Sequence, residues 1–524
     1  SQADGCRSRQ ARMAAMSLEG TKAAGFPADH NDVELVRGAH PPHWRNPPPT
    51  GPYNLVVVGA GPAGLTAATE AASLGAKVAL IERGLIGGTC INTGCIPSKS
   101  IIRTSRLYAD MRDAENFGAD APDHLRVDFQ RAMTRMRRIR QRISHADSAE
   151  ALAALGIDVH FGEARFEGSD CVTVAGTTLR FRKALSATGS RPEFPSIPGL
   201  VEAGYLSNET MFDLVDCPKR LLVIGGGPLG CETAQAFCLL GAKVILAQSD
   251  PMFLPGEERD AAQILSEALA REGVEVRLNT EVVAVRREGD KKLADLVRDG
   301  DTTTISVDEI ITGIGRSPNV DGLGLDEAGV AHDAKGIKVD DYLRTSNPRI
   351  YAAGDVCLDY KFTHTAEATA RMVVQNALFL GRKRLSELVV PWCTYTDPEI
   401  AHVGLYPVEA RRDGIPVKTY TVLMHDVARA VMDGEEEGFV KIHVREGSDR
   451  ILGATVVAAH AGEMINGVSL AIRSGMGLHA LADVIHPFPT QAQGIKMAGD
   501  AYRRTQFTPL WRHLAARWLA WSRR

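Results

Sequence analysis

Residues 53–82, YNLVVVGAGPAGLTAATEAASLGAKVALIE, have a close copy later in the chain at residues 220–248, RLLVIGGGPLGCETAQAFCLLGAKVILAQ. Each stretch has the pattern of a β-branched strand, a glycine turn, a helix and a second strand. The two copies keep one constant offset, both at the glycines (59 to 225) and at the Gly-Ala-Lys-Val runs (75 to 241). The matching glycines are Gly59, Gly61 and Gly64 in the first copy and Gly225, Gly227 and Gly230 in the second. The sequence therefore predicts a duplicated βαβ unit.

Both glycine motifs, each a G-x-G-x-x-G after a strand and at a helix start, predict binding of a dinucleotide. The first glycine allows a tight turn, the second lets a pyrophosphate approach the backbone, and the third lets helix and strand pack closely. The residue that meets the adenosine ribose differs between the copies: it is Glu82 in the first and Gln248 in the second. A neutral amide does not repel a 2′-phosphate, so Gln248 slightly favours NADPH over NADH.

Composition narrows the class of protein. A length of 524 residues favours about three domains, and a net charge of −4 gives no reason to expect nucleic acid as a partner. Nine cysteines are too few for a secreted disulfide framework, which favours a reducing cytoplasm. No apolar run approaches the length of a membrane-spanning helix. Residues 1–51, rich in Ala, Gly and Pro, are expected to form an arm.

Two cysteines, Cys90 and Cys95, lie in the run GGTCINTGCIPSKS, residues 87–100. Five residues of regular helix span about 7.5 Å, too far for a disulfide, so the two can bridge only if the helix is interrupted. Asn92 and Gly94 permit an interruption, and Pro97 suits the first turn of a following helix. So small a ring is a poor structural staple, and no second cysteine or histidine pair stands at zinc-ligand spacing. A redox pair is the favoured interpretation.

The run GGTCINTGCIPSK closely resembles the redox-active motif of the pyridine nucleotide–disulfide oxidoreductases, the family of dihydrolipoamide dehydrogenase, glutathione reductase and mercuric reductase. Further resemblances follow in order along the chain: SATGSRP (186–192), TGIGRSPN (312–319), TSNPRIYAAGDVC (345–357), FTHTAEATAR (362–371) and PWCTYTDPEIAHVG (391–404). The implied fold is α/β, with two Rossmann-like dinucleotide-binding domains and a C-terminal α+β dimerisation domain. The implied segments are an arm (1–51), an FAD-binding domain (52–199 and 321–388), an NAD(P)-binding domain (200–320), a dimerisation domain (389–506) and a basic amphipathic helix (507–524).

The resemblance also implies roles. The first repeat would hold FAD and the second NADPH or NADH, in a homodimer. Cys95 would be the thiolate next to the flavin and Cys90 the thiol that meets the acceptor, while Lys99 would lie near the flavin and pair with Glu232. Besides the six motif glycines, Glu82 and Gln248, the implied cofactor-binding residues are Thr89, Lys99, Thr188, Gly189, Gly315 and Asp355.

The sequence departs from the family where a histidine and a glutamate normally serve as base and orienting group. In HPFPTQAQ, residues 486–493, these places fall to Phe488 and Gln493. His486, two residues before Phe488, either substitutes for the base or only caps local structure. Mercuric reductases also lack the histidine, and the chain resembles that branch more closely both around the cysteines and in TDPEIAHVG (396–404). The sequence has neither a vicinal cysteine pair at its end nor a C-x-x-C in residues 1–51, where Cys6 is alone. The expected acceptor is therefore an open choice between a metal ion such as Hg(II) and a disulfide, with no resident metal.

Two questions stay open at this point. Loss of the base also fits a flavin-containing electron-relay or binding protein without disulfide reductase activity. The tail TPLWRHLAARWLAWSRR, residues 508–524, carries Trp and Leu on one side of a helical wheel and Arg on the other. Such a helix suits its own dimer, a partner groove or the surface of a membrane.

Overall fold

The computed structural model describes residues 29–120 and 126–523. Within them, the residues up to Ser249 and Thr280–Leu388 form one compact unit, and Asp250–Asn279 and the residues from Val389 form another. Residues 1–28 of the predicted arm, with Cys6, lie outside the described residues. The predicted domain boundaries stay predictions.

The first unit contains a mixed sheet built around the first repeat. Its strands are β1 Tyr53–Val58, β2 Val78–Glu82, β3 Ile157–Phe161, β4 Ala164–Phe166, β5 Cys171–Val174, β6 Thr177–Ser186 and β18 Ile350–Ala352, and the short β7 is Ser190–Pro192. Strands β3–β2–β1–β6 run parallel in that order, β18 adds to β6 in parallel, and β5 and β4 extend β6 antiparallel. The helices are α1 His30–Ala39, α2 Pro62–Ser73, α3 Gly88–Thr93, α4 Cys95–Arg112, α5 Phe129–Ser144, α6 Ala149–Ala154 and α10 Thr363–Leu378. Apolar residues of the sheet and of α2 and α10 fill the core beside it.

The second repeat forms the same local structure in the same unit. The bounds are α7 Leu200–Ala203, β8 Arg220–Ile224, α8 Pro228–Leu239, β9 Lys243–Ala247, β11 Glu281–Glu288, β12 Lys291–Arg298, β13 Asp301–Val307, β14 Glu309–Thr312, β15 Arg316–Pro318, β16 His332–Asp333 and β17 Gly336–Ile337. Strands β9–β8–β14 are parallel neighbours, and an antiparallel meander β11–β12–β13 follows. Leu55 pairs with Val78 in the first copy and Leu221 with Val244 in the second, so the offset between the copies holds in the strand register as well. The duplication predicted from sequence is present.

Residues 29–51, the described part of the predicted arm, pack against the rest of the first unit. Helix α1 buries Leu35, Val36 and Ala39. Beyond it the proline-rich stretch follows the edge strand β3, where Asn46 donates to the Phe161 carbonyl at 2.9 Å and accepts from its amide at 2.8 Å. The stretch holds no regular helix, as its prolines predict, but a side-chain amide lets it pair with a strand edge.

The second unit is built on an antiparallel sheet with helices packed on its apolar side. Its strands are β10 Glu275–Arg277, β19 Pro391–Thr394, β20 Glu399–Gly404, β21 Val417–Leu423, β22 Phe439–Arg445 and β23 Ile451–Ala458, and the sheet order is β19–β20–β23–β22–β21. Its helices are α9 Arg259–Glu272, α11 Pro407–Arg412, α12 Ala428–Asp433, α13 Ala461–Arg473, α14 Leu478–Asp483, α15 Gln493–Gln506 and α16 Pro509–Trp521. Helix α16 is the predicted C-terminal helix, and none of its residues is buried. No helix among the described residues is both long and apolar enough to span a membrane.

Candidate redox and cofactor site

The two glycine loops have the shape that a bound dinucleotide needs. Gly59 has φ +101° and Gly225 has φ +106°, a conformation that L side chains rarely adopt. A Cβ on Gly64 would lie 1.7 Å from the carbonyl oxygen of Gly59, so helix and turn touch there. A Cβ on Gly61 would meet nothing closer than 3.8 Å, so the middle of the loop is open.

The second loop repeats this geometry. A Cβ on Gly230 would lie 1.9 Å from the Gly225 carbonyl oxygen, while one on Gly227 would meet nothing within 4 Å. Both loops therefore fit a pyrophosphate at the middle glycine, and the long helices α2 and α8 begin there with their free amides toward it.

The two ribose positions lie against their loops. Glu82 accepts hydrogen bonds from the amides of Ala60 and Gly84, both at 2.7 Å, and burial raises the pKa of its carboxyl group. Gln248 is buried, and a Cβ on Gly226 would lie 1.9 Å from its Oε1 atom. Each side chain thus reaches the turn that would hold the adenosine half of a dinucleotide.

The cysteine segment consists of two helices with a break. Helix α3 ends at Thr93, and α4 begins at Cys95, because Gly94 has φ −137° and ψ −116°. A Cβ on Gly94 would lie 2.7 Å from the carbonyl oxygen of Thr89, so glycine is required at the break. The interruption expected at Gly94 is present, and Pro97 lies in the first turn of α4. Asn92 does not contribute to it: this residue is inside α3.

The two thiols lie on either side of the break at Gly94 and are electrostatically unequal. Both cysteines are free thiols, Cys90 partly buried and Cys95 exposed. The hydrogen bond from Cys90 is the main cause that lowers the pKa of Cys95 to about 6, with the Lys99 ammonium and the Thr363 hydroxyl adding to it. The same hydrogen bond raises the pKa of Cys90. The pair therefore holds one thiolate and one thiol near neutral pH.

Lys99 and Glu232 form the ion pair that the resemblance implies. The Nζ atom of Lys99 lies 2.7 Å from Oε2 of Glu232, whose side chain is 5% exposed. Lys99 is on α4, one turn after Cys95, and Glu232 is on α8, just past the second glycine motif. The pair joins the cysteine helix to the second repeat.

Asp355 belongs to a polar cluster that sequence reasoning did not find in full. Ser190 donates a hydrogen bond of 2.6 Å to Oδ2 of Asp355, and Arg316 donates to the Ser190 hydroxyl at 2.7 Å. The Arg316 guanidinium is 3.8 Å from the same carboxylate oxygen. Ser190 and Arg316 lie in the motifs SATGSRP and TGIGRSPN. The sequence predicted only the adjacent residues Gly189 and Gly315 as cofactor-binding.

Thr188, Gly189 and Gly315 lie in the turns before the paired segments β7 and β15. Thr188 exchanges two hydrogen bonds of 2.8 Å with Asn319, and the Asn319 amide donates to Gly189 at 3.0 Å. Gly315 has φ +148° and accepts from the Glu193 amide at 3.0 Å. These hydrogen bonds join the segment before the second repeat, residues 186–192, to the segment after it, residues 312–319.

The predicted substitute base lies in the second unit. His486 is on the segment between α14 and α15, where its Nδ1 atom is 3.1 Å from the Val484 carbonyl oxygen. Phe488 is 69% exposed, and Gln493 begins α15. A catalytic role for His486 stays a prediction. No group of three or more His, Cys, Asp or Glu that could hold a metal ion occurs in residues 29–120 and 126–523.

Two dinucleotide cradles beside a helix with a paired thiol and thiolate define a protein of the flavoprotein disulfide reductase class. The comparisons with known proteins agree. Residues 53–370 match the profile of the pyridine nucleotide-disulphide oxidoreductases, and residues 390–498 match the dimerisation domain of that family. The chain belongs to the pyridine nucleotide–disulphide oxidoreductase family.

Curated relatives are at moderate distance. The chain is 32% identical to a mercuric reductase of Lysinibacillus sphaericus over 85% of its length and 82% of the relative. It is 34% identical to a dihydrolipoyl dehydrogenase of Thermus scotoductus over 86% of its length and 98% of the relative. A solved structure, the HOCl-induced flavoprotein disulfide reductase RclA from Escherichia coli, is similar with a TM-score of 0.77, 28% identity and coverage of 86% and 99%.

Membership confirms the predicted fold class and cofactors. The family uses FAD and NAD(P)H, and the fold comprises two dinucleotide-binding domains and a dimerisation domain. The matched dimerisation domain supports a homodimer.

Proposed function

We propose that this protein is an NAD(P)H-dependent oxidoreductase that passes electrons through Cys90 and Cys95 to a thiol-reactive metal ion such as Hg(II). The observation that carries the proposal is the position of Cys90 and Cys95 on either side of the helix break at Gly94, one turn before the ion pair of Lys99. A lowered pKa of Cys95 agrees with it. Bound FAD supplies a two-electron relay between the nicotinamide and this pair.

The side chains of this chain then have separate tasks. The first glycine loop and Glu82 hold the adenosine half of FAD, and the second loop and Gln248 hold the nicotinamide cofactor, NADPH at least as well as NADH. Lys99, kept in place by Glu232, brings a positive charge to the cysteine helix, where it stabilises the Cys95 thiolate. Cys90 is the group that binds the acceptor.

The absence of the family's usual histidine base, whose place is taken by Phe488, favours a metal ion over a disulfide as the acceptor. A disulfide acceptor releases a thiolate that must be protonated, and Phe488 cannot move a proton. A soft metal ion bound by thiolates needs no such proton, because its reduction yields the metal itself. The mercuric reductase relatives support this choice, as does a solved Cu(II) complex of RclA at 27% identity.

The experiment is NADPH and NADH oxidation with a panel of acceptors: Hg(II), Cu(II), lipoamide and glutathione disulfide. Turnover is expected with a metal ion and to be poor with the disulfides, and Cys90→Ala and Cys95→Ala should each abolish metal turnover. Rapid turnover of either disulfide would contradict the assigned acceptor. Fast reduction of the flavin without turnover of any acceptor would instead favour the electron-relay or binding protein.

We further propose that α16 rests on an anionic lipid surface, with the enzyme in the cytoplasm. Residues 501–523 contain five arginines and no acidic residue, in a chain whose net charge is −4. At about 100° per residue, the large apolar side chains of this helix lie on one half of its surface; they are Leu510, Trp511, Leu514, Trp518, Leu519 and Trp521, each at least 50% exposed. Tryptophan beside arginine suits the level of the lipid headgroups.

Cosedimentation with vesicles tests this proposal. Binding is expected with vesicles that contain phosphatidylserine, weaker binding with phosphatidylcholine alone, and loss of binding in Trp511→Ala/Trp518→Ala. Equal binding to both vesicles, or dissociation of the homodimer in the double variant, would show that the helix contacts a second copy or another partner instead.

A further inference from the structure

The helix that carries Cys90 ends in carbonyl groups whose partners come from distant parts of the chain. Helix α3 stops at Thr93, and the carbonyls of a final helical turn need hydrogen-bond donors from outside the helix. For Thr93 the regular partner would be the amide of residue 97, but that residue is proline and has no N–H. Asn208 donates to the Thr93 carbonyl at 3.0 Å.

The neighbouring carbonyl, that of Asn92, is bound by a fully buried arginine. Nη1 of Arg140 donates to the Asn92 oxygen at 2.9 Å, and Nη2 donates to Oδ1 of Asp32 at 2.6 Å. The side chains of Arg140 and Asp32 are both 0% exposed. One guanidinium thus joins the N-terminal helix α1 to the peptide that lies between Cys90 and Cys95.

The buried charges around this link are nearly balanced. Arg137, on the same helix as Arg140, is 3.5 Å from Asp32 and 3.6 Å from Asp29. Asp213 also faces Arg140, and burial raises its pKa to about 7. Burial likewise raises the pKa of Asp32 to about 6, against the lowering effect of Arg140. Ions buried in this way are costly unless they are held in a defined geometry.

Of these two arginines, only Arg140 donates a hydrogen bond to α3, the helix that carries Cys90. Arg137 donates a hydrogen bond to the Leu214 carbonyl at 3.2 Å, whereas Arg140 donates to Asn92. Asp32 lies outside the family match, which begins at residue 53. Arg140 and Asn92 lie within that match.

We propose that Arg140, fixed by Asp32, is a positioning residue for the redox pair. It holds the C-terminal end of α3 and so fixes the position of Cys90 relative to Cys95, which favours both the Cys95 thiolate and closure of the disulfide. The inference deepens the proposed function, since it concerns the same two cysteines, but its test needs no nicotinamide or acceptor.

The test compares Arg140→Lys with Arg137→Lys in the full-length holoenzyme. Lysine keeps the charge but lacks the guanidinium fork, so it cannot hold Asp32 and Asn92 together as arginine does. The control, Arg137→Lys, removes a guanidinium from the same helix that also lies near Asp32. Arg137, however, donates its hydrogen bond to Leu214 rather than to α3. Two quantities are measured: the pH dependence of Cys95 alkylation by iodoacetamide, followed by mass spectrometry, and the equilibrium of the Cys90–Cys95 couple against dithiothreitol buffers.

For Arg140→Lys, alkylation of Cys95 at pH 6 should slow at least threefold, and the equilibrium constant for disulfide formation should fall at least threefold, about 14 mV for a two-electron couple. For Arg137→Lys, neither the alkylation rate of Cys95 nor the equilibrium constant for disulfide formation should change by more than a third of the effect seen in Arg140→Lys. Equal effects of the two variants, or no effect of Arg140→Lys, would overturn the proposal.

If Arg140→Lys lowers the yield of folded protein, the nearly isosteric Asp32→Asn is tested in its place. This variant should also slow alkylation of Cys95 and lower the equilibrium constant for disulfide formation. If wild-type protein reduces none of the acceptors, the proposed function fails while the alkylation comparison still decides this inference.

Discussion

The hydrogen bond from Cys90 to Cys95 leads to a quantitative prediction. It is the main cause of the low pKa of Cys95, about 6 against an ordinary value of 9.0. At pH 7 this difference changes the thiolate fraction from about one in a hundred to about nine in ten. Cys90→Ala removes the donor, whereas Cys90→Ser keeps a hydroxyl donor at nearly the same place.

A hydrogen bond to a charged group contributes about 1.5–3 kcal/mol in a buried site, and the lower end applies here because Cys95 is exposed. That amounts to at least about tenfold, so the pKa of Cys95 should rise at least to about 7 in Cys90→Ala. At pH 6 the thiolate fraction then falls from about half to about a tenth. Alkylation of Cys95 by iodoacetamide at pH 6 should therefore slow roughly fivefold.

Rates at several pH values, measured by mass spectrometry, give the midpoint for each variant. Cys90→Ser should keep a midpoint near pH 6. The reasoning would be refuted if Cys90→Ala and Cys90→Ser titrated alike, or if wild-type Cys95 titrated near pH 9.

Three further predictions concern the cofactor loops and the acceptor site. Gln248→Glu should shift the ratio of kcat/KM values toward NADH, because a carboxylate repels the 2′-phosphate; a wild-type preference of a hundredfold for NADH would contradict this reading. Gly64→Ala should lose bound FAD and thermal stability, since its Cβ would lie 1.7 Å from a carbonyl oxygen, while Gly227→Ala should fold and lose only affinity for the nicotinamide. Phe488→His with Gln493→Glu should gain turnover of glutathione disulfide, up to the roughly 10²–10⁴-fold that a placed base typically contributes; no gain over Phe488→His alone would show that the orienting carboxylate is not needed.

Much of the first unit was predictable because its signals are local. The glycine motifs, the strand register that repeats from the first copy to the second and the break at Gly94 all arise from neighbours in sequence. The prediction that Asn92 helps to interrupt the helix was wrong, because the contacts of its side chain could not be seen in the local sequence. Its side chain permits a turn, but its amide donates to the Ile86 and Gly88 carbonyls and so stabilises the helix it was expected to interrupt.

The arm was harder to predict, because proline-rich composition indicates only what a segment cannot form. It does not indicate that Asn46 pairs with the edge of β3 or that Asp32 is buried against Arg140. Contacts between residues so far apart in the chain leave no periodic pattern in a single sequence.

The sequence by itself determined the duplicated dinucleotide units, the cysteine pair and the absence of the usual base, since each depends on residue type at short spacing. The family resemblance implied that Cys95 carries the charge, but only the tertiary structure decided which groups stabilise that charge and what holds the helix of Cys90. The pKa of Cys95 depends on a hydrogen bond and on the Lys99 ammonium, and the end of α3 depends on Arg140, which the chain brings there from a separate helix. Electrostatic energies fall with distance in space rather than in sequence, so these properties exist only once the chain is folded.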